Sequence, residues 1–239
     1  MKKQPKKMEI EDGALKSNFA DTDAYDMRIK RFVPYYVEMM NSVLDCLPQL
    51  ESHLVVLELG CGTGNLSQKL LNKSRYFKLV AIDLTKEMVE KCRVRLAQYT
   101  NRTEIICADM IKFRRISTFD YVLSNLALHY PETDKKKISV CRNVYQSLRP
   151  GGIFSFSVML TSDSPQSTEK IWKRWERDVL QNGITRGELD NWNKTHHGSD
   201  HPVPPSLWLK WLQEVGFEYC ELVWCETIFG IIRAKKPMA

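Results

Sequence analysis

Apolar positions along this chain follow two alternating rhythms, and the alternation sets the architecture. Short, mostly apolar runs at 54–59, 79–83, 104–109, 119–125 and 153–158 read as strands buried on both faces. Between them lie stretches of helical spacing, over about 65–73, from the cap Thr85 to about Gln98, and over 133–148. Arg149-Pro150-Gly151-Gly152 closes the last of these. Strands alternating with helices in this way specify a doubly wound α/β sheet, with ligands at the carboxyl ends of the strands.

Three segments flank that core. Ahead of it, Ile29, Phe32, Val33, Tyr36, Val37, Met40, Val43, Leu44 and Leu47 recur at helical spacing, with Pro34 at a break. Asp23-Ala24-Tyr25-Asp26 reads as a turn and cap before them. Two leading helices are therefore expected over 19–50, after a flexible tail at 1–18. Beyond strand five the regularity stops, and residues 161–205 form a polar, aromatic stretch holding Trp172, Trp175 and Trp192, read as a helical lid insertion. A helix at 206–215, a turn at Gly216-Phe217 and strands at 219–224 and 228–234 follow. The expected whole is one Rossmann-like domain over 19–239, with a seven-stranded sheet ending in an antiparallel hairpin.

The chemistry starts where strand one empties into Glu58-Leu59-Gly60-Cys61-Gly62-Thr63-Gly64. Glycines at alternate positions allow φ > 0 and leave no Cβ between the backbone and a ligand. Glu58 would repel a pyrophosphate, but it can pair with a cationic group. This stretch resembles motif I of the class I S-adenosylmethionine (SAM) methyltransferases, E/D-x-G-x-G-x-G, at every defined position. SAM presents an ammonium and carboxylate, a ribose diol, an adenine and a sulfonium. Carbonyls of the 60–62 turn suit the ammonium, with Glu58 behind them and Cys61 packed beneath the ligand. Asp83 ends strand two where a carboxylate can take the ribose diol, with Leu84 against the adenine. Asp109 and Met110 offer the adenine an acceptor and an apolar wall.

A narrower resemblance is to the carboxy-SAM synthases of tRNA wobble-uridine modification and the small-molecule methyltransferases near them. Arg31-Phe32-Val33-Pro34-Tyr35-Tyr36 is similar to their R-x-V-P-x-Y helix, which implies that Tyr36 contacts the methionine end of SAM. Val122-Leu123-Ser124-Asn125 is similar to their strand-four end, which implies that Asn125 faces the cofactor. One departure stands out. Those synthases hold the extra carboxylate with an arginine, and a gapless count back from Gly216-Phe217 places Trp192 there, with Lys194 close and Arg186 farther. Ordinary SAM is therefore the expected cofactor.

Two histidines are candidate bases. His129 follows strand four near the methyl's exit, where it is either a general base or a routine loop residue. His201, directly before Pro202-Val203-Pro204-Pro205, has the best claim among the histidines at 196, 197 and 201 to point into the site. The run His196-His197-Gly198-Ser199-Asp200-His201 has donors enough for zinc, but it lies on no element that would aim them together. A polar lid loop is expected instead, without metal. Trp172 and Trp175 read equally as a substrate wall or as lid packing.

Charge and cysteines refine the partners. The formal net charge of +6 is accounted for by Lys2, Lys3, Lys6, Lys7, Lys235 and Lys236. That leaves a neutral body with two solvated basic ends, whereas polynucleotide binders carry a basic stripe on the fold. Lys135-Lys136-Lys137 reads as the exposed face of a helix start. Seven cysteines without C-x-x-C spacing suggest reduced thiols. No apolar run approaches the ~20 residues of a membrane span, and no signal peptide is recognisable, so a cytoplasmic protein is expected. These observations favour a small-molecule methyl acceptor. A tRNA-modifying enzyme of the carboxy-SAM type, or a non-catalytic SAM-binding subunit, are the alternatives, and oligomeric state leaves no mark in the sequence.

Overall fold

The computed structural model of the protein describes residues 22–48, 53–196 and 198–238. The expected tail at 1–18, parts of the leading segment (19–21 and 49–52) and His197 lie outside the described residues. Helices α1 (Thr22–Phe32) and α2 (Tyr36–Leu44) lead into β1 (Leu54–Leu59), α3 (Asn65–Lys73), β2 (Phe77–Asp83), α4 (Lys86–Arg95) and β3 (Thr103–Cys107). Then come β4 (Phe119–Asn125), α5 (Asp134–Ser147), β5 (Leu148–Met159), α6 (Pro165–Gln181) and α7 (Arg186–His196). The chain closes with α8 (Pro205–Val215), β6 (Glu218–Glu226) and β7 (Phe229–Lys235).

The seven strands form one sheet in the order β3-β2-β1-β4-β5-β7-β6. β1 to β5 run parallel, while β7 pairs antiparallel with both β5 and β6. Strand alternation sends Val56, Leu79, Ala81 and Leu123 to one face, against Leu66 and Leu70 of α3 and Met39 and Val43 of α2. Leu57, Leu59, Val80 and Ile82 go to the other, against Val140 and Val144 of α5 and Trp208 and Leu212 of α8. The strand order reverses between β1 and β4, which opens a crevice at their carboxyl ends.

Some local expectations change. Asp23–Asp26 lie within the first turns of α1, not before it. α4 stops at Arg95 and passes into a 3₁₀ turn at Ala97–Arg102. β3 stops at Cys107, so Asp109 stands in the loop beyond the strand. α5 gives way directly to β5 at Leu148, which places Arg149–Gly152 inside the strand.

The lid region is two helices docked on α1. Trp175 Nε1 donates to Phe32 O at 2.9 Å, and Trp192 stacks on the Phe32 ring at 4.2 Å and 15°. Arg31 donates to Glu188 and to Gly183 O, each at 2.8 Å. Trp175 is buried and Trp172 meets it edge-on at 5.5 Å. These tryptophans pack the lid.

In each of two basic stretches one lysine is engaged by the fold. Lys236 Nζ donates to Tyr145 O and Leu148 O at 2.8 Å and sits 4.7 Å from the centroid of the Tyr145 ring. Lys137 is buried, and its ammonium donates to Pro131 O. The lysine run had read as an exposed face because a helix buries every third or fourth residue, and here that residue is Lys137. Burial pushes its amine down to about 8 from the ordinary 10.5, against a smaller upward pull from Asp134. A folded-state value below the unfolded one means that this group's contribution is present above the unfolded value and is lost as pH falls through the folded value. In urea unfolding the stability advantage of Lys137→Met over the wild type should therefore shrink between about pH 8 and 10, by at most roughly 3 kcal/mol.

Candidate functional site

The crevice at the strand ends is a cavity of about 490 Å³. Its floor is the turn after β1, which the sequence builds from positive-φ glycines: φ is +67° at Gly60 and +53° at Gly62. Cys61 N–H donates to Ile82 O at 2.9 Å, which ties the turn to the end of β2. Gly62 N–H donates to Asp83 Oδ2 at 2.8 Å, while Thr85 N–H donates to Asp83 Oδ1 at 3.0 Å. Thr85 thus spends its hydroxyl on Asp83, at 3.2 Å, rather than on capping α4.

Of the eleven residues expected around a cofactor, ten line this cavity: Tyr36, Glu58, Gly60, Cys61, Gly62, Asp83, Leu84, Asp109, Met110 and Asn125. Gly64 is not on the wall. It is the αL residue that opens α3, and a Cβ there would meet Cys92 Sγ at 2.9 Å. His201 lines the cavity, whereas His129 does not. His129 is buried, with Nδ1 accepting from Met159 N–H at 3.5 Å and its carbonyl accepting from His201 N–H at 3.0 Å. The histidine run is divided: Asp200 turns toward His129, and His201 faces the cavity.

Electrostatics at the floor follow from burial. Glu58 is buried, and desolvation holds its carboxyl well above the usual range despite the hydrogen bond from Ser67 Oγ. Burial likewise raises Asp83, outweighing the backbone donors of Thr85 and Gly62. A hydrogen bond shared with Cys92, with burial added, pushes the Cys61 thiol up, so it stays protonated. Asp109 Oδ1 accepts from Ile111 N–H at 2.8 Å, which fixes the loop after β3. Ser157 Oγ donates to Asn125 Oδ1 at 2.7 Å, which leaves the amide nitrogen of Asn125 as the group free to donate elsewhere.

A second group at this floor was not foreseen. Asp26 of α1 accepts from Thr63 Oγ1 at 2.6 Å, from Asn65 Nδ2 at 2.9 Å and from Arg95. Arg95 also donates to Thr63 and Asn65, and Asn65 reaches the Tyr36 hydroxyl at 3.4 Å. Burial raises Asp26, but these hydrogen bonds together win and leave it lowered. The cluster joins α1, the glycine turn and α4, and so holds Tyr36 over the cavity. Its sequence signal was only a set of polar residues dispersed over 70 positions.

The donor set fits SAM. Glu58, Asp83, Asp109 and Glu132 line a cavity whose wall also includes Leu66, Leu84, Met88 and Met110, as a cationic amino acid joined to a nucleoside requires. Residues 56–152 match the model of a methyltransferase domain. Carboxy-S-adenosyl-L-methionine synthase from Helicobacter hepaticus is 25% identical over 221 residues, covering 89% of this chain and 90% of that protein. The synthase from Trichodesmium erythraeum is 28% identical, covering 82% and 79%. Together these matches support a class I SAM-dependent methyltransferase. The fold agrees with the solved Haemonchus contortus phosphoethanolamine N-methyltransferase 2 in complex with S-adenosyl-L-methionine, at TM-score 0.64 and 11% identity, over 84% of this methyltransferase and 53% of that chain. Among the described residues of the methyltransferase, no helix is long and apolar enough to cross a membrane.

Proposed function

We infer that this methyltransferase passes the methyl group of SAM to a small-molecule oxygen, nitrogen or other heteroatom. The observation that carries this reading is that one cavity is lined both by the glycine turn with Glu58, Asp83 and Asp109 and by Tyr130, Ser199 and His201. Bound SAM supplies a methyl already activated by its sulfonium. The protein's share is then alignment, with Asp83 for the ribose, Asp109 and Met110 for the adenine, and Tyr36 and Asn125 nearer the amino-acid end. Acceptor proton removal falls to His201, the candidate base on the wall. A cavity of about 490 Å³ suits a small acceptor beside the cofactor.

The names of the relatives favour a second reading, carboxy-SAM synthesis. That chemistry needs a cation to hold the added carboxylate. Among the described residues, Lys136 and His201 are the basic side chains on the cavity wall, with no arginine, and Trp192 is stacked on Phe32 away from it. Lys136 is held by Glu132 at 3.0 Å. All seven cysteines are free, which supports a reducing, cytoplasmic setting. The test is a screen for S-adenosylhomocysteine release across small-molecule acceptors, with mass spectrometry of ligand that co-purifies. Release with a small acceptor is the expected result. Carboxy-SAM in the purified protein, or release with tRNA alone, would overturn it.

A further inference from the structure

The loop that follows α7 supplies Ser199 and His201 to the cavity wall, yet it is fastened from behind. His201 N–H donates to His129 O at 3.0 Å, and Thr161 N–H donates to Val203 O at 3.3 Å. Between these ties sits a buried pair. Asp200 Oδ1 lies 4.0 Å from His129 Nε2, and the two side chains are 5% and 3% exposed. Asp200 Oδ1 also accepts from Ser199 Oγ at 3.3 Å, while Oδ2 is buried with no hydrogen-bond partner among the described residues. Neither group takes part in the chemistry proposed above.

We propose that Asp200 and His129 form a proton-sharing latch that positions the lid loop, and with it Ser199 and His201, on the wall of the active site. Among the described residues, the titratable groups on the segments that meet here are His129 and Tyr130 after β4, and Asp200 and His201 in the loop. No lysine or arginine among the described residues lies within ion-pair distance of Asp200. His129 Nδ1 accepts from Met159 N–H, so the closed loop holds a neutral imidazole. A bare carboxylate with an unpartnered oxygen is costly in the same place, so the one proton of the pair sits on Asp200. Burial, only partly offset by Ser199, accordingly pushes Asp200 up to about 7.

The latch has a signature that packing alone lacks. On opening, the proton passes in effect from Asp200 to a solvated imidazole, and the pair's total charge does not change. Closure in the wild type is then nearly level with pH from about 5 to 6.5, because both states hold one proton. Each half alone loses that balance. In His129→Gln the lone Asp200 has a higher pKa closed than open, so closure weakens about tenfold per unit as pH rises from 5 toward 7. In Asp200→Asn the lone imidazole must be neutral when closed, so closure weakens as pH falls below about 6.5, again about tenfold per unit.

Hydrogen exchange at the amide of His201, corrected for the intrinsic rate, reads closure directly. Opposite slopes in the two variants, with a level wild type, are the expected result. A uniform, pH-independent loss of protection in both, or a slope of one sign in both, would overturn the latch. The wild-type profile decides part of this without any variant, since a steep slope between pH 5 and 6.5 also overturns it. The role of His201 rests on the proposed methyl transfer, but the exchange reading does not. Level exchange with no S-adenosylhomocysteine release would sink the transfer reading alone.

Discussion

Asp83→Ala lowers the affinity for SAM by roughly 100-fold or more, measured by calorimetry. The carboxylate accepts from Gly62 N–H, Thr85 N–H and Thr85 Oγ1, so it sets the shape of the turn even before any ribose contact. Hydrogen bonds to a charged group are worth about 1.5–3 kcal/mol each. Losing one to the cofactor, together with some order in the turn, amounts to about 2.7 kcal/mol, or two orders of magnitude. Asp83→Asn should fare little better. Its amide has a single acceptor, so whichever way it turns, an N–H meets the N–H of Gly62 or of Thr85. Because burial raises the Asp83 pKa, its acceptor role also fails earlier on acidification than an ordinary carboxylate's would. Unchanged binding in Asp83→Ala would remove the cofactor from this end of the sheet.

What the sequence disclosed and what it hid divide along a physical line. The sheet, its strand ends and ten of the cavity residues were legible because strand periodicity, positive-φ glycines and strand-terminal acids are local signals. The places where the chain folds back on itself were not. Nothing near Trp192 announces that it stacks on Phe32, 160 positions earlier, and nothing near Asp200 announces His129. Lys137 was misread for a related reason. A run of three lysines looks like solvent, but helix periodicity turns one of them inward, where a single carbonyl suffices to hold its ammonium. His129 and His201 are both candidate bases in the sequence, and tertiary placement separates the buried one from the one on the wall.

The glycine turn itself gives the sharpest pair of substitutions. In Gly60→Ala the new methyl would lie 2.3 Å from Ala127 Cβ, on a backbone whose φ is +67°. The left-handed conformation costs roughly 1–2 kcal/mol, and overpacking typically adds about 1–3. For a chain of this length that is a fall in melting temperature on the order of 10 °C. Gly62→Ala is different. It carries a similar backbone cost at φ +53°, but its methyl meets nothing within 4 Å of the protein, at a position that lines the cavity. Gly62→Ala should therefore melt only a few degrees early while losing SAM binding, because the added carbon occupies space the cofactor needs. Gly60→Ala should lose stability and binding together. If Gly62→Ala bound SAM like the wild type, the turn would not be the cofactor's seat, however well it is formed. If Gly60→Ala melted like the wild type, the loop carrying Ala127 would yield, and the close approach of β1's turn to β4's loop would not be what shapes the cavity floor.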